Sequence, residues 1–293
     1  MKVLLTGASG FIGGYVLNAL QYHNIAVVAV GRSQPRALTE FIQADLLSIH
    51  DFAPLIKQSQ ATHLLHLAWY AEHGKYWTSP LNLRWAETTI RLVEAFCTAG
   101  GRQVVLAGTC AEYDWVQGYC QEEITQLNPA TLYGVAKDAT RRLVMMVSAQ
   151  HQVPCAWGRI FLPFGYGENV NRLIPSLIDV FHGKRVPFKL NALAYRDFLH
   201  ASDVAEGFIK LLTEKAQGEY NICSGEPVRL AEVVTILASL LRADPEPILA
   251  LATERSDEPA LLVGKNTKLR AFGWQPVYTL TQGLERTLQG EPK

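Results

Sequence analysis

Tyr133 and Lys137 stand four residues apart, and their side chains could together move a proton. In a helix, residues four apart lie on one face, about one turn from each other. A phenol alone titrates near pH ~10, which makes it a poor proton donor or acceptor at neutral pH. A neighbouring ammonium group lowers that pKa, so Tyr133 could exchange a proton with a substrate oxygen. An isolated pair of this kind usually means two exposed residues of an ordinary helix, so the interpretation depends on other motifs.

The first of these motifs is a glycine-rich turn near residue 7. Apolar residues 3–5 are followed by glycines at positions 7, 10 and 13 and by an amphipathic helix through about Leu20. Such glycines permit a tight turn, close approach of the backbone to a pyrophosphate and close packing of helix on strand. The helix N-terminus then offers free N–H groups to phosphates. Strand, turn and helix in this order predict a dinucleotide site that includes Gly7, Ser9, Gly10, Phe11, Ile12 and Gly13.

Arg32 and Ser33 indicate which dinucleotide the site prefers. They follow residues 25–30, a continuous apolar strand of the kind that is covered on both faces. NAD-selective sites usually have an acidic residue here, which binds the ribose hydroxyls. A guanidinium group pairs instead with phosphate oxygens. The sequence therefore favours NADP(H), with NAD(H) also possible, and the alternative for Arg32 is a solvated loop residue.

Further contacts are predicted where the third and fourth strands end. Asp45 and Leu46 could lie beside the adenine, although Asp45 could instead cap a helix or turn. Leu67 and the small Ala68 leave the fourth strand, where a cofactor could pass closely. Trp69 and the aromatic, polar segment that follows it, residues 70–79, are predicted to face the substrate, because ligands bind at the carboxyl edge of open α/β sheets. Thr109 ends the fifth strand at the same edge, although a threonine there is usually only a turn former.

With these residues in view, the chain resembles the extended short-chain dehydrogenase/reductases that act on nucleotide sugars. The similarity covers nearly the whole chain in order, and its motifs specify the family better than the reaction. The matching motifs are Thr6-Gly7-x-x-Gly10-x-x-Gly13, Asp45-Leu46, His66-Leu67-Ala68, Thr109 with Tyr113, Tyr133-x-x-x-Lys137, Arg159, Pro163-Phe164-Gly165, Arg196-Asp197-Phe198-Leu199-His200, Asp203-Val204-Ala205, Tyr220-Asn221-Ile222 and Gly273-Trp274-x-Pro276.

The resemblance implies a catalytic set of Thr109, Tyr133 and Lys137. Tyr133 would donate or accept the proton, and Thr109 would hydrogen-bond the reacting oxygen. Lys137 would hold the nicotinamide ribose and lower the tyrosine pKa. Thr109 and Tyr133 would thus also bind the substrate, beside Trp69.

The chain departs from the family pattern at three places, one of which is Asp114 at the position of the usual glycine after Tyr113. Dehydratase members follow the catalytic threonine with an acidic pair, but Cys110 and Ala111 stand there and Glu112 comes one position late. This argues against dehydration. The asparagine of the family's proton relay has no clear match, since Trp85 occupies its register and Asn82 lies three residues earlier.

The order of strands and helices predicts an α/β fold, a Rossmann doubly wound parallel sheet with a smaller mixed α/β C-terminal substrate lobe. The dinucleotide-binding domain is assigned residues 1–165 and about 195–218. The substrate lobe is assigned residues 166–194 and 219–293.

By resemblance, the smaller lobe would hold the nucleotide part of a nucleotide-diphospho sugar, and Arg196 would contact the diphosphate. The alternative for Arg196 is a surface ion pair with Asp197. Arg255, Asp257 and Glu258 are further candidates to line the lobe.

Residues 136–147 are predicted to be helical, with residues 143–147 apolar on nearly all sides. A helix that rests only on its own sheet needs one apolar stripe. We therefore expect burial on a second side, which in the family occurs against the same helix of a second subunit in a homodimer. The alternative is burial within one large core.

Composition excludes several other classes. Lys+Arg and Asp+Glu balance at 27 each, which gives no basic excess for nucleic acid. No signal-like segment precedes residue 3, and no apolar segment approaches the ~20 residues of a membrane helix. The five cysteines form no CxxC pair, and His63 and His66 face opposite sides of a strand, so no disulfide scaffold or metal site is predicted. A cytoplasmic location is expected.

Three functions remain. The favoured one is an NADP(H)-dependent oxidoreductase that reduces a nucleotide-linked keto sugar of the 4-keto-6-deoxyhexose type. The first alternative is a nucleotide-sugar epimerase with tightly bound NAD, which would use the same three residues. The second is a non-catalytic dinucleotide-binding sensor or interaction protein, which the retained Tyr133 and Lys137 disfavour.

Overall fold

The computed structural model describes residues 1–255 and 258–290. Its strands are β1 Lys2–Thr6, β2 Ala26–Gly31, β3 Glu40–Gln43, β4 His63–His66, β5 Gln103–Thr109, β6 Tyr119–Cys120, β7 Cys155–Ile160, β8 Leu162–Phe164, β9 Tyr195–Arg196, β10 Phe198–His200, β11 Gly218–Ile222, β12 Val228–Arg229 and β13 Leu261–Gly264. Its helices are α1 Phe11–Tyr22, α2 Ala53–Ser59, α3 Leu81–Thr98, α4 Leu132–Gln150, α5 Leu173–Phe181, α6 Ala201–Thr213, α7 Leu230–Leu241, α8 Glu246–Leu249, α9 Thr267–Arg270 and α10 Leu280–Gln289.

The large sheet is parallel and doubly wound. Within the described residues it has seven strands in the order β11-β7-β5-β4-β1-β2-β3, and every neighbouring pair runs parallel. The chain starts at the middle of this sheet and crosses over to build each half in turn. This order confirms the predicted Rossmann architecture.

Apolar residues on both faces hold the sheet in place. In β1, Val3 and Leu5 belong to the core under α1 and α6, whereas Leu4 belongs to the core under α2, α3 and α4. All three side chains are completely buried. Successive residues of a strand point to opposite faces, so a continuous apolar run is what two helical layers require.

Gly13 lets α1 start close against the turn after β1. A Cβ atom at this position would lie 1.9 Å from the carbonyl oxygen of Gly7. Any side chain would therefore push the helix away from the strand, and the predicted need for glycine here is confirmed.

A second lobe forms around α5, α7, α8 and α10, which share an apolar core. Beside it lies a mixed four-stranded sheet in the order β12-β9-β13-β6. This agrees with the predicted smaller mixed lobe. Its segments interleave with the first domain, because β6 comes from before α4 in the chain.

The predicted residue limits of the lobe differ from the structure at two places. Residues 219–222, which were assigned to the lobe, form most of β11 at the edge of the large sheet. Leu269 of α9 and Trp274 pack in the core under α1 and α6. Both segments pack against the large sheet because their apolar side chains are buried in its core. The division is otherwise a prediction, and its residues 256–257 and 291–293 lie outside the described part.

One helix begins later than its sequence suggests. The pattern predicts a helix over residues 169–181, but α5 begins at Leu173. Arg172 is the N-cap, with extended backbone angles. Residues 169–172 therefore form a loop. None of the described helices is both long and apolar enough to cross a membrane.

Candidate active site

A cleft of about 810 Å³ opens along the carboxyl ends of the central strands and continues between the large sheet and the second lobe. Nearly every residue predicted to bind cofactor or substrate lines it. Ser33 is the exception, since it is exposed and outside the lining. The predicted residues found in the lining are Gly7, Ser9, Gly10, Phe11, Ile12, Gly13, Arg32, Asp45, Leu46, Leu67, Ala68, Trp69, Thr109, Tyr133, Lys137 and Arg196.

The glycine turn leaves an open helix end at one side of the cleft. Gly10 is the N-cap of α1, and no side chain caps this helix. The first N–H groups of the helix and the positive end of its dipole are therefore available to an anion. Arg32 is exposed at the nearby end of β2. A dinucleotide with a pyrophosphate fits this set of donors.

Asp45 has a local structural task as well as a place in the cleft. Its carboxylate accepts a hydrogen bond from the Leu47 backbone N–H at 3.1 Å and caps a short 3₁₀ helix. The alternative of a capping residue is thus present in the structure. A contact with adenine stays a prediction.

Thr109 is held by the turn that follows β5. Its side chain accepts a hydrogen bond from the Ala111 N–H at 3.2 Å, while the Glu112 carboxylate accepts one from the Thr109 N–H at 2.8 Å. These reciprocal bonds form a capping box. Thr109 is 9% exposed, at the rim between sheet and cleft.

Glu112 points away from the cleft into a fully buried network. Its carboxylate binds Arg159 Nε at 2.7 Å and Trp157 Nε1 at 2.9 Å. Arg159 in turn donates to the Tyr113 hydroxyl at 3.1 Å. Glu112 therefore anchors the turn that carries Thr109 and is not placed to act as an acid in the cleft, which agrees with the prediction against dehydration.

Tyr133 reaches Thr109 because α4 begins very close to the turn after β5. Thr131 caps the helix by accepting a hydrogen bond from Gly134 N–H at 3.1 Å. At Gly134 a Cβ atom would lie 2.3 Å from the Ala111 carbonyl oxygen, so only glycine permits this approach. The hydroxyl group of Thr109 lies close enough to that of Tyr133 to lower its pKa.

Lys137 is buried one helical turn beyond Tyr133. Its Nζ donates a hydrogen bond to the Ala107 carbonyl at 2.9 Å and lies 3.8 Å from the centre of the Trp69 ring. Burial lowers the pKa of Lys137 to about 7. Burial raises the pKa of Tyr133, and the nearby Thr109 hydroxyl opposes that rise. Burial acts against the expected lowering of the tyrosine pKa by the lysine, and that lowering stays a prediction.

Aromatic side chains form the wall of the cleft around Tyr133. The Tyr133 N–H donates to the Trp77 carbonyl at 3.1 Å, and the Tyr76 ring meets the Tyr133 ring edge to face at 4.9 Å. Trp69 and Trp85 stack with their centres 6.3 Å apart. The predicted substrate-facing segment 70–79 thus contributes to the cleft.

Asn82, the displaced asparagine of the sequence pattern, lies behind this wall. It is completely buried, accepts a hydrogen bond from Trp69 Nε1 at 2.8 Å and donates to the Tyr76 carbonyl at 2.7 Å. Trp85, which occupies the expected register, lines the cleft instead. Asn82 therefore fixes the aromatic wall.

Arg196 is buried at the lobe side of the cleft, and Asp197 is not its partner. The guanidinium donates to the carbonyls of Tyr195 at 2.9 Å and Pro259 at 2.7 Å and pairs with Glu258 at 3.5 Å. The predicted alternative of a surface pair with Asp197 is thus wrong. Asp197 accepts hydrogen bonds from backbone N–H groups such as that of Ser224. Asp257 lies outside the described residues.

Sequence reasoning missed two polar residues of the cleft lining, Glu168 and Arg172, and included His73 only as part of segment 70–79. His73, Glu168 and Arg172 line the cleft, and Arg172 Nε donates to Glu168 Oε1 at 3.2 Å. The sequence pattern predicted a helix over residues 169–172, but these residues form a loop that lies beside the cleft. The polar residues directly after Gly165-Tyr166-Gly167, at a strand exit, were the available signal.

The parallel sheet, the open glycine turn and the hydroxyl pair at its carboxyl edge define a Rossmann-type oxidoreductase. The chain belongs to the NAD dependent epimerase/dehydratase family, whose profile matches residues 3–223. This confirms the resemblance to extended short-chain dehydrogenase/reductases.

Several relatives act on nucleotide sugars by name. A dTDP-6-deoxy-L-talose 4-dehydrogenase (NAD(+)) of Aggregatibacter actinomycetemcomitans is 26% identical over 80% of this chain and 88% of its own. A UDP-glucose 4-epimerase of Streptomyces lividans is 25% identical over 94% of this chain and 91% of its own. Among solved structures, MoeE5 in complex with UDP-glucose and NAD has a TM-score of 0.86 and 27% identity, covering 99% of this chain and 98% of that one.

Proposed function

We propose that this protein is an NADP(H)-dependent oxidoreductase that reduces the keto group of a nucleotide-diphospho sugar, of the 4-keto-6-deoxyhexose type. The observation that carries the proposal is the hydroxyl pair of Thr109 and Tyr133 in the cleft, one helical turn from Lys137. When bound, the cofactor supplies the hydride. The residues of the chain bind the sugar, orient its carbonyl and deliver a proton.

In this proposal Tyr133 protonates the carbonyl oxygen as it becomes an alcohol. A phenol with a raised pKa keeps its proton at neutral pH and is a weak acid, but the alkoxide that forms on hydride addition is the stronger base and takes the proton. Thr109 donates a hydrogen bond to the same oxygen. Lys137 lines the cleft, where its Nζ can donate a hydrogen bond to the nicotinamide ribose whether or not it is charged, and the aromatic wall keeps bulk water from the reacting atoms.

Replacing Tyr133 by Phe tests the catalytic assignment. Loss of the proton donor should lower kcat about 10²- to 10⁴-fold, while the affinity for NADPH stays within about twofold. The assay is NADPH oxidation with a panel of nucleotide-diphospho keto sugars, together with NADPH titration.

Tyr119→Phe is the matched control, because Tyr119 is 43% exposed and lies outside the cleft lining. Full turnover by Tyr133→Phe would refute the proton-donor role. A wild-type protein that binds dinucleotide but turns over no nucleotide sugar would support the non-catalytic alternative.

Arg32 supports the preference for NADP(H), since its guanidinium is exposed at the cleft where a 2′-phosphate would lie. Arg32→Ala should weaken NADPH binding about 10- to 100-fold, the effect of one charge-assisted hydrogen bond, and NADH binding by less than about threefold. Titration of both dinucleotides measures the change. Arg36→Ala is the control, since Arg36 is also exposed but not in the lining. A clear NADH preference of the wild type would contradict this proposal.

The second candidate is a nucleotide-sugar epimerase with tightly bound NAD. It is favoured by the relative of that activity in Streptomyces lividans and by the presence of NAD in the MoeE5 complex. The same hydroxyl pair could remove a proton and return it. Denaturing the purified protein and identifying the released nucleotide distinguishes the two: stoichiometric NAD supports the epimerase, and an empty or NADP-loaded protein supports the reductase.

We also propose a cytoplasmic location. All five cysteines are unpaired thiols buried in the fold, which fits a reducing compartment.

A further inference from the structure

Glu168 and His73 present two buried polar atoms that have no hydrogen-bond partner among the described residues. These atoms are Glu168 Oε2 and His73 Nδ1. Both residues line the cleft, and the Glu168 side chain is only 6% exposed. A buried polar atom without a partner loses the hydrogen bonds that it had with water, typically at about 1–3 kcal/mol. Two such atoms in one cleft indicate that a ligand supplies the missing bonds.

Arg172 holds Glu168 in place and connects it to the reacting end of the cleft. Its Nε binds Glu168 Oε1 at 3.2 Å and leaves Oε2 free. Its side chain also interacts with that of Tyr76, whose ring lies 4.9 Å from that of Tyr133. The polar group is therefore connected to the proposed proton donor through the Tyr76 ring.

The charges of this group select a neutral partner. Burial raises the pKa of Glu168 to about 7 even though Arg172 lies beside it, so the site disfavours a negative charge and would also disfavour a ligand carboxylate or phosphate. Burial, and then the nearby Arg172, lowers the pKa of His73 and keeps its ring neutral. A hydroxyl group can donate to Oε2 and accept from, or donate to, an imidazole nitrogen.

We infer that Glu168 and His73 are specificity residues that bind a hydroxyl group of the sugar ring or its side chain, with Arg172 as the positioning residue for Glu168. The inference rests on the proposed function, in that it takes a nucleotide sugar as the ligand. It adds that the sugar is recognised through an uncharged, hydroxyl-bearing position near Glu168.

The test combines ligand analogues with variants. Dissociation constants of UDP-glucose and its 2-, 3- and 6-deoxy analogues are measured by calorimetry with the wild type, Glu168→Gln and His73→Phe. One analogue should bind the wild type about 10- to 100-fold more weakly than UDP-glucose, as expected when a buried polar group loses its hydrogen-bond partner. In both variants this difference should fall to less than about threefold, while binding of UDP alone is unchanged.

Glu168→Gln keeps the size of the side chain and an oxygen that can accept from Arg172, so the fold should persist. Glu232→Gln, on the exposed face of α7, is the matched control and should keep the wild-type difference. The inference is overturned if the affinity difference between UDP-glucose and the analogue is the same in the wild type and the variants. It is also overturned if the wild type shows no such difference. If the protein turns over nucleotide sugars but the analogue effect does not depend on Glu168 and His73, only this inference is refuted. If the protein binds no nucleotide sugar at all, the proposed function is refuted as well.

Discussion

Glu112 shows how one residue far inside the protein fixes the geometry of the candidate site. Its carboxylate is completely buried, binds Arg159 and caps the turn that presents Thr109. Buried contacts of Glu112 thus fix the turn that carries the Thr109 hydroxyl. Its position in the cleft depends on an ion pair between residues 47 apart in the chain.

Removing one partner of this ion pair should be strongly destabilising. Glu112→Ala leaves the Arg159 cation buried without its anion, which should lower the free energy of unfolding by about 3–5 kcal/mol. Urea unfolding followed by circular dichroism measures it. Glu87→Ala removes an exposed pair with Arg91 and serves as control, with an expected effect below about 1 kcal/mol. Similar losses in the two variants would contradict the anchoring role.

The residue scale also marks the limit of what the sequence reveals. Tyr133, Lys137 and the glycine turn were predictable because helix period and turn chemistry are local. Glu112 looked like a displaced acid, since the sequence cannot show that Arg159 and Trp157 come to it. Glu168 was missed for the same reason, because its setting depends on a loop that local patterns assigned to a helix.

At the scale of the element, α4 carries an exposed apolar stripe. Val135 is 48% exposed, Leu143 50% and Met146 63%, and their spacing places them on one side of the helix. The opposite side packs against the sheet and α3. The expected burial of this helix on a second side stays a prediction, because these three side chains are exposed in the single chain. We propose that the stripe packs against α4 of a second copy in a homodimer.

The dimer proposal predicts a change of mass. The double variant Leu143→Glu and Met146→Glu should sediment as a monomer at micromolar concentration, where the wild type sediments as a dimer, because buried charges oppose association. Val277→Glu, at an exposed position outside the stripe, should leave the dimer intact. A monomer mass for the wild type would refute the proposal.

Element types were more predictable than their limits. The continuous apolar strands are local features, and the structure has β1 where it was expected. The start of α5 and the return of residues 218–222 to the large sheet depend on tertiary packing. Local periodicity does not contain that information.

At the scale of the whole molecule, His66 joins three elements at the centre of the fold. Its Nδ1 shares a hydrogen bond with Thr6 of β1 at 2.8 Å, and its Nε2 shares one with Thr89 of α3 at 2.9 Å. Burial lowers the pKa of His66 to about 3, and Lys137 adds to this shift. The neutral ring is thus part of the folded structure.

His66 should make the stability of the protein depend on pH. Between its ordinary pKa near ~6.5 and the folded value of about 3, the unfolded chain binds a proton that the folded chain does not. The free energy of unfolding should therefore fall as the pH falls, by about 1.4 kcal/mol per pH unit for this group. Urea unfolding from pH 7 to pH 4 measures the slope.

His66→Gln keeps hydrogen-bonding groups at this position but removes the titrating ring. The free energy of unfolding of this variant should therefore depend less steeply on pH, by about 1.4 kcal/mol per pH unit, which corresponds to one proton. His63 and His200 are buried in the wild type and remain in the variant. Their contribution to the slope is therefore the same in both proteins and cancels when the two slopes are compared. Equal slopes in the two proteins would show that His66 does not titrate with the folding transition.

The aromatic wall has a practical consequence. Four of the six tryptophans, all in the described part of the chain, line the cleft: Trp69, Trp77, Trp85 and Trp115. Indole emission overlaps the absorption band of a reduced nicotinamide, so resonance energy transfer would dim the intrinsic fluorescence whenever such a ring enters. The unlabelled protein thus carries its own optical reporter, with which occupancy could be followed in real time.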